Sequence, residues 1–211
     1  MVFDQQMFEA FQKETVEDSL FTIRKYIQPT LRKYGQSIRQ QLEDKLTHQS
    51  ISMHLAKHIR RKVNLPFNTW IAIGGDSRGY KNYIHLQLGI NSEYVFLAMC
   101  LIDHPKFEKE IIQAWSEHIE PLNKLSDDFC FIYDHTQLPF IPINQMTMSD
   151  IIERCHMNSK ADIIIGKILM RHDHRLLDQS LFEQWLSQTI DQLADIFIPS
   201  YQLEQSFHAE N

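Results

Sequence analysis

The fold is decided by the stretch from Ile84 to Leu101, which reads IHLQLGINSEYVFLAMCL. Its first half alternates apolar and polar side chains, which is the period of a strand with one buried face. Asn91-Ser92 is a turn-forming pair, and the apolar run that follows has the length of a buried strand. The stretch therefore predicts two antiparallel strands joined by a tight turn.

Two earlier segments extend this hairpin. Ile51 to Leu55 alternates in the same way, and Thr69 to Ile73 precedes a glycine-rich connection, residues 74–81, that leads back to Ile84. No helix-length segment separates these strands, which disfavours the crossover connections of a parallel sheet. We therefore predict a four-stranded antiparallel meander.

Helical spacing governs most of the remaining chain. Apolar residues recur every three or four positions through residue 48, which predicts two or three helices that Pro29 breaks or kinks. Beyond the meander we predict a helix that begins with Pro105, then a strand over 129–133 and a loop over 134–146. A helix capped by Thr147 and Asp150 and a strand over 161–170 should follow. The last predicted element is a helix capped by Ser180 and Glu183 that ends near Pro199.

These elements define an α+β fold. We expect a largely antiparallel sheet with a meander core, packed on one face by N-terminal and C-terminal helices. A single domain should cover residues 1–204, and residues 205–211 should form a frayed tail.

The composition excludes several classes of protein. The chain has 211 residues, of which 43% are hydrophobic and 23% charged, so it is neither disordered nor fibrous. The longest apolar run, from Tyr94 to Ile102, is far shorter than the roughly 20 residues that span a bilayer, so we expect no membrane association. Cys100, Cys130 and Cys155 form no Cys-x-x-Cys pair, which predicts free buried thiols in a reducing cytoplasm.

The charge is unevenly spread along the chain. The formal net charge is −6, yet residues 57–62, Lys-His-Ile-Arg-Arg-Lys, hold four basic side chains and no acid. Taking these four from the 21 basic residues leaves 17 against 27 acids in the rest of the chain. We call residues 57–62 the basic segment. Such a cationic run in an acidic chain predicts an anion site, because guanidinium groups offer paired donors to phosphate or carboxylate.

The leading functional hypothesis is a binding or regulatory module with a cationic pocket. Its ligand would be a small phosphorylated or carboxylated molecule, with RNA as the second choice. The basic segment and the glycine-rich connection would form two lips, and Trp70 would be a wall or a core anchor. The predicted ligand-binding residues are Lys57, His58, Arg60, Arg61, Asn64, Trp70, Arg78, Tyr80 and Lys81. The pattern specifies no cofactor and no oligomeric state.

Histidines support a second interpretation. If the chain stays extended from Ser52 to Arg60, His54 and His58 share one face, and His85 lies on the polar face of a nearby strand. Three imidazoles could hold zinc, iron or nickel, or exchange protons near pH 7, as in a histidine- or metal-dependent enzyme. A third interpretation is a structural or partner-binding protein whose basic segment docks on an acidic surface. The simplest alternative is a solvated strand end with hydrogen-bonded histidines.

The same residues carry a family resemblance. The run from His54 to Asn64, HLAKHIRRKVN, followed by Pro66 and Thr69-Trp70, resembles the signature of the YktB-like family of uncharacterised bacterial proteins. Residues 78–81, Arg-Gly-Tyr-Lys, and residues 85–89 resemble it too. The resemblance runs through most of the chain and implies a soluble α+β protein of about this size. It assigns no catalytic residue, because the family's biochemical role is not established.

The chain departs from that family pattern at three positions. Leu65 precedes Pro66 where two prolines are expected, Asn68 stands where an acid is expected, and Ile84 replaces a proline before His85. If the acid serves catalysis or metal binding, Asn68 cannot supply its charge. The departures therefore weaken the enzyme hypothesis and leave a cationic binding site intact.

Overall fold

The computed structural model describes residues 1–46, 49–58, 63–102, 105–134, 139–157 and 162–210. Within these ranges the chain forms one seven-stranded antiparallel sheet and a set of helices. The strands are β1 (Met53–Leu55), β2 (Asn68–Gly74), β3 (His85–Asn91), β4 (Tyr94–Leu101), β5 (Phe129–Ile132), β6 (Ile141–Pro142) and β7 (Ile163–Met170).

The predicted meander is confirmed. The strands lie in the order β1-β2-β3-β4-β7-β5-β6, so the first four are neighbours in sequence and in space. In the central hairpin Leu88 pairs with Leu97. The turn is closed by Asn91, whose Oδ1 accepts the backbone N–H groups of Glu93 at 2.8 Å and of Tyr94 at 2.9 Å. The asparagine side chain thus sets the register of the hairpin.

Three helices precede the sheet: α1 (Gln5–Glu9), α2 (Val16–Thr22) and α3 (Gln28–Lys45). Pro29 does not break this region. A π-helical turn over Ile23–Ile27 joins α2 to α3, and the N–H of Gln28 bonds to the carbonyl of Ile23. Pro29 therefore falls in the first turn of α3, where a missing N–H costs no helical hydrogen bond.

Four helices follow β4: α4 (Glu108–Glu117), α5 (Glu120–Asn123), α6 (Met148–Met157) and α7 (Gln179–Glu210). The capping box of α6 is confirmed, since Asp150 N–H donates to Thr147 Oγ1 and Thr147 N–H donates to Asp150 Oδ2. The predicted loop over 134–146, of which 135–138 lie outside the described residues, contains β6 and a 3₁₀ turn over Ile143–Gln145.

Several predicted helix ends are wrong. Helix α4 begins at Glu108 and not at Pro105. Helix α7 is capped by Asp178, whose Oδ1 accepts the N–H of Leu181 at 3.0 Å, and not by Ser180. It also continues through Pro199 to Glu210, so the segment expected to fray is helical up to that residue. Burial of the apolar stripe of α7 outweighs the loss of one hydrogen bond at Pro199.

The two faces of the sheet have different neighbours. Leu86, Leu88 and their partners on β4 pack against the helices in one continuous core, which confirms the α+β fold with helices on one side. We call the opposite face, which carries Trp70, His85 and Gln87, the distal face. Its apolar part is a smaller cluster around Phe96. The shared core favours the single-domain interpretation, which stays a prediction. None of the described helices combines the length and apolarity needed to cross a bilayer.

Candidate functional site

The distal face carries a row of buried polar side chains on β3. His85, Gln87 and Asn91 are 0%, 6% and 2% exposed. Burying polar groups is costly unless each finds a hydrogen-bond partner, so such a row on one sheet face needs a structural or functional cause. The predicted placement of His85 and Gln87 opposite the helix-facing row is confirmed by the register of the hairpin.

His85 is held on both sides of its ring. Its Nδ1 lies 2.8 Å from the carbonyl oxygen of Tyr83, and since a carbonyl only accepts, Nδ1 carries the proton. Its Nε2 lies 2.9 Å from the amide nitrogen of Gln87 and accepts from it. Gly74 makes room for this ring, because a Cβ there would lie 2.8 Å from that of His85. Both nitrogens of His85 are therefore occupied by protein partners.

Tyr80 folds back over the distal face from the glycine-rich connection. Its hydroxyl accepts the indole N–H of Trp70 at 2.9 Å. Its ring centroid lies 4.8 Å from that of His85 and 5.7 Å from that of His54. His54 in turn donates from Nε2 to the carbonyl of Asp76 at 2.8 Å. The tyrosine ring thus contacts both histidines, and four aromatic side chains form a connected wall.

The connection itself is closed by Asp76. Its carboxylate accepts the backbone N–H groups of Arg78 at 2.7 Å and Gly79 at 3.0 Å, and the hydroxyl of Tyr83 at 3.0 Å. These hydrogen bonds, led by that from the Arg78 backbone, lower the pKa of Asp76 to about 2. The Arg78 guanidinium pairs with the same carboxylate at 3.1 Å, and its side chain is 89% exposed. Arg78 thus stabilises the turn through Asp76. Lys81, at the end of the glycine-rich connection, is exposed.

The basic segment starts where β1 has ended. The condition under which His54 and His58 would share one strand face is not met, because β1 ends at Leu55 and His58 has a φ of +50°. His58 Nε2 is hydrogen-bonded to Thr69 Oγ1 at 3.0 Å, and its ring meets the edge of Trp70 at 5.9 Å. These contacts tie the first residues of the segment to the start of β2.

The remaining predicted residues fall in two groups. Lys57 is exposed beside His58, and Asn64 is exposed beyond the segment. Arg60 and Arg61 lie outside the described residues. His58 and the glycine-rich connection lie at opposite ends of β2, because His58 contacts Thr69 whereas the connection follows Gly74. Among the predicted residues described, the structure brings His58, Trp70, Tyr80, His54 and His85 into one chain of contacts.

A small cleft opens on the distal face beside the start of β2. Its space of about 20 Å³ has room for about one water molecule. Burial raises the pKa of Tyr94 to about 12, so its hydroxyl stays neutral. The cleft is lined by Phe67, Asn68, Gln87, Asn91, Tyr94, Phe96, Ile132 and Ile164. None of these described lining residues is acidic.

Sequence reasoning missed most of this cleft. Asn91 was interpreted only as a turn residue, and Asn68 only as the replacement of an acid. Phe96 was one member of a uniformly apolar strand, yet its ring lies directly over Gly89, where any Cβ would collide with it. The spacing of Gln87, Gly89 and Asn91 at every second position was the available signal, because alternate residues share a face.

The metal hypothesis finds little support in the geometry. Across the described ranges no group of three or more His, Cys, Asp or Glu side chains is placed to hold a metal ion. The ring of Tyr80 also contacts both His54 and His85. Cys100 and Cys130 are buried free thiols as predicted, whereas the side chain of Cys155 lies outside the described part.

The fold and site define an antiparallel α+β protein with a buried polar row on the sheet face that lies opposite the helices. The chain matches the family described as "Domain of unknown function (DUF1054)" over residues 3–197, and it belongs to this family. This agrees with the YktB-like resemblance.

Three relatives show how much of the chain is similar to other members of the family. UPF0637 protein YsbB of Lactococcus lactis subsp. lactis (strain IL1403) is 34% identical over 197 residues, which are 93% of this chain and 97% of that protein. UPF0637 protein OB1420 of Oceanobacillus iheyensis is 31% identical over 196 residues, 93% of each chain. A UPF0637 protein of Enterococcus faecalis is 31% identical over 203 residues, 96% of this chain and 98% of that protein. The similarity therefore spans nearly the full length of each relative.

Proposed function

We propose that this protein binds a small anionic ligand, phosphorylated or carboxylated, where the basic segment meets the distal face of the sheet. The proposal rests on the position of His58 relative to the distal cleft. His58, in the basic segment, contacts Trp70 and Thr69 at the start of β2, and the adjoining residue Asn68 lines the distal cleft.

The chemistry of the cleft suits an anion. Its polar lining consists of Asn68, Gln87, Asn91 and Tyr94, which are neutral groups that include N–H and O–H donors. With no acidic side chain among these lining residues, an anion meets no local repulsion there. Because the space holds only about one water molecule, a ligand of metabolite size would lie over the cleft and contact its rim.

Arg60 and Arg61 are the residues proposed to supply the charge. Guanidinium groups bind phosphate or carboxylate with two parallel hydrogen bonds, which are roughly twice as strong as neutral ones. Arg78 is a weaker candidate, since its charge already pairs with Asp76. Trp70 and Tyr80 are proposed as the aromatic wall against which the ligand packs.

The double variant Arg60→Ala/Arg61→Ala tests this proposal. Calorimetric titration with inorganic phosphate, pyrophosphate, citrate and a nucleoside monophosphate should identify at least one ligand of the wild-type protein. The variant should bind it at least tenfold more weakly, a loss of about 1.4 kcal/mol or more. The matched control is Lys109→Ala/Lys124→Ala, which removes the same charge from two exposed positions, one in α4 and one just after α5, and should leave the affinity unchanged.

Three outcomes would contradict the proposal. The first is equal affinity of the wild type and the Arg60→Ala/Arg61→Ala variant. The second is an equal loss in the control pair, which would reduce the effect to net charge. The third is binding of single-stranded RNA in preference to every small anion, with a steep salt dependence, which would replace the small ligand by a nucleic acid.

A further inference from the structure

A second cavity lies on the helical side of the molecule. It is a half-open cavity between α4, α5 and α7 with a volume of about 550 Å³, within the range of small-molecule sites. Its described lining consists of Ala114, Trp115, Glu117, His118, Pro121, Leu122, Asp195, Ile196, Pro199, Ser200 and Leu203. Most of these side chains are apolar, and the distal face lies across the sheet from them.

Trp115 provides a flat apolar wall. Its indole N–H donates to Ser200 Oγ at 2.8 Å, and that hydroxyl donates onward to the carbonyl of Ile196 at 2.7 Å. The polar atom of the tryptophan is therefore satisfied within the protein. What remains for a ligand is aromatic surface, which favours an apolar body.

Two acidic side chains and one backbone carbonyl supply acceptors at the cavity. Pro199 has no N–H, so the carbonyl of Asp195, four residues earlier on α7, lacks its ordinary helical donor. The carboxylate of Asp195 forms no ion pair or hydrogen bond within the described chain. Glu117, whose Oε1 accepts the Gln113 amide at 3.0 Å, lines the same cavity from α4, and both carboxylates are exposed at its rim. Two carboxylates and a carbonyl without its helical donor thus lie beside an apolar floor. His118 is the other titratable side chain of the lining.

We propose that this cavity binds a small amphiphilic amine, an apolar body that carries one ammonium group. An ammonium has three donors, no acceptor and a positive charge, which complements the acceptors and the negative charge of Asp195 and Glu117. The apolar body packs against Pro121, Pro199 and Leu203, with the small exposed part of Trp115 beneath it, and leaves water. The inference is independent of the anion site, because the two cavities lie on opposite sides of the sheet and only this one has acidic side chains in its described lining.

Three probes of equal chain length test the inference: octylamine, octanol and octanoate. Calorimetric titration of the full chain near pH 7 should rank octylamine at least fivefold tighter than octanol, with octanoate weakest. Asp195→Asn/Glu117→Gln should lower the octylamine affinity at least fivefold and change that of octanol less than twofold. The matched control, Glu110→Gln in the first turn of α4, should leave both affinities unchanged.

Filling the cavity gives an independent readout. Ala114→Trp places a large ring in the cavity and should abolish binding of both octylamine and octanol. Leu203→Trp fills it from α7 and replaces Ala114→Trp if that variant does not fold. The inference is overturned if octylamine and octanoate bind equally, or if a folded filled variant binds octylamine as the wild type does. It is also overturned if octylamine binds only by dissociating a dimer, since a second copy then occupies the cavity.

Discussion

Glu204 is a carboxyl group that the fold buries completely. Its Oε1 accepts the N–H of Ile84 at 2.9 Å, and its Oε2 has no hydrogen-bond partner in the described chain. Burial raises the pKa of Glu204 to about 8, against which the hydrogen bond from Ile84 is the weaker influence. The side chain is therefore uncharged at neutral pH, and it ties α7 to the residue before β3, next to His85.

This burial makes stability depend on pH in a defined direction. Above the ordinary carboxyl pKa of 4.5 the unfolded chain loses the Glu204 proton, whereas the folded chain keeps it up to about pH 8. The free energy of unfolding should therefore fall as pH rises through this window. Glu204→Gln keeps the acceptor and cannot ionise, so at pH 8 it should be more stable than the wild type by a few kcal/mol, and about equal at pH 4.5.

Urea unfolding at several pH values measures the effect. Glu43→Gln is the control, because the Glu43 carboxylate also accepts a backbone N–H, from Ile51 at 2.9 Å, but pairs with Arg39 and is partly exposed. That variant should not gain stability at pH 8. Parallel pH profiles for the wild type and Glu204→Gln would refute the assignment.

At the scale of single residues, the sequence predicted the sheet face on which a side chain lies better than the partners that the side chain contacts. His85 was expected on the polar face and lies there, but both its nitrogens bond to Tyr83 and Gln87. Arg78 was expected at a ligand, and it bonds to Asp76 two residues away. The physical reason is that hydrogen-bond partners depend on distances of a few ångströms, which spacing along the chain does not specify.

Helix α7 is the element in which sequence and structure differ most. A proline removes one helical hydrogen bond and costs about 3 kcal/mol in a helix interior, which predicts an end near Pro199. The helix nevertheless runs from Gln179 to Glu210, because residues on both sides of the proline are buried. Phe197 and Tyr201, for example, stack at 5.5 Å across it.

Replacement of this proline should stabilise the protein. Pro199→Ala restores an N–H for the Asp195 carbonyl but also frees the unfolded chain, so the expected gain is about 1–2 kcal/mol. Pro29→Ala is the matched control: Pro29 sits in the first turn of α3, so only the freed unfolded chain applies, and stability should fall by up to about 1 kcal/mol. Thermal and urea unfolding measure both. A loss of stability in Pro199→Ala would mean that the packing of the proline ring outweighs the missing bond.

At the scale of the whole molecule, the packed fold shields two cysteine thiols on the distal side of the sheet from solvent. Cys100 and Cys130 are 0% and 3% exposed. Desolvation raises the pKa of Cys100 well above its usual value and that of Cys130 to about 12, so neither forms the reactive thiolate near pH 8. Cys100 lies on the central strand β4, and Cys130 lies on β5, between β7 and the short edge strand β6, so exposure of either thiol requires opening of the packed sheet.

Thiol labelling therefore reports on global unfolding. In a Cys155→Ser variant the two remaining thiols should react with an aromatic disulfide reagent only as fast as the protein unfolds. Both should react promptly in denaturant. The rate should rise with urea in step with the loss of circular dichroism. Rapid labelling of either thiol without denaturant would show that the sheet opens locally.

The hairpin, the meander and the sheet face that meets the helices were determined by the alternation of residues 84–90 and by the apolar run of β4. A shift of the strand register by one residue would move the buried side chains to the other face, so only one register buries them all. The family motif likewise follows from local sequence. Tertiary structure alone decided that β7 inserts beside β4, that Tyr80 returns to Trp70 across the length of β2, and that Glu204 reaches Ile84. These contacts join residues in different elements, and they depend on how the packed core orients those elements, which no local pattern encodes.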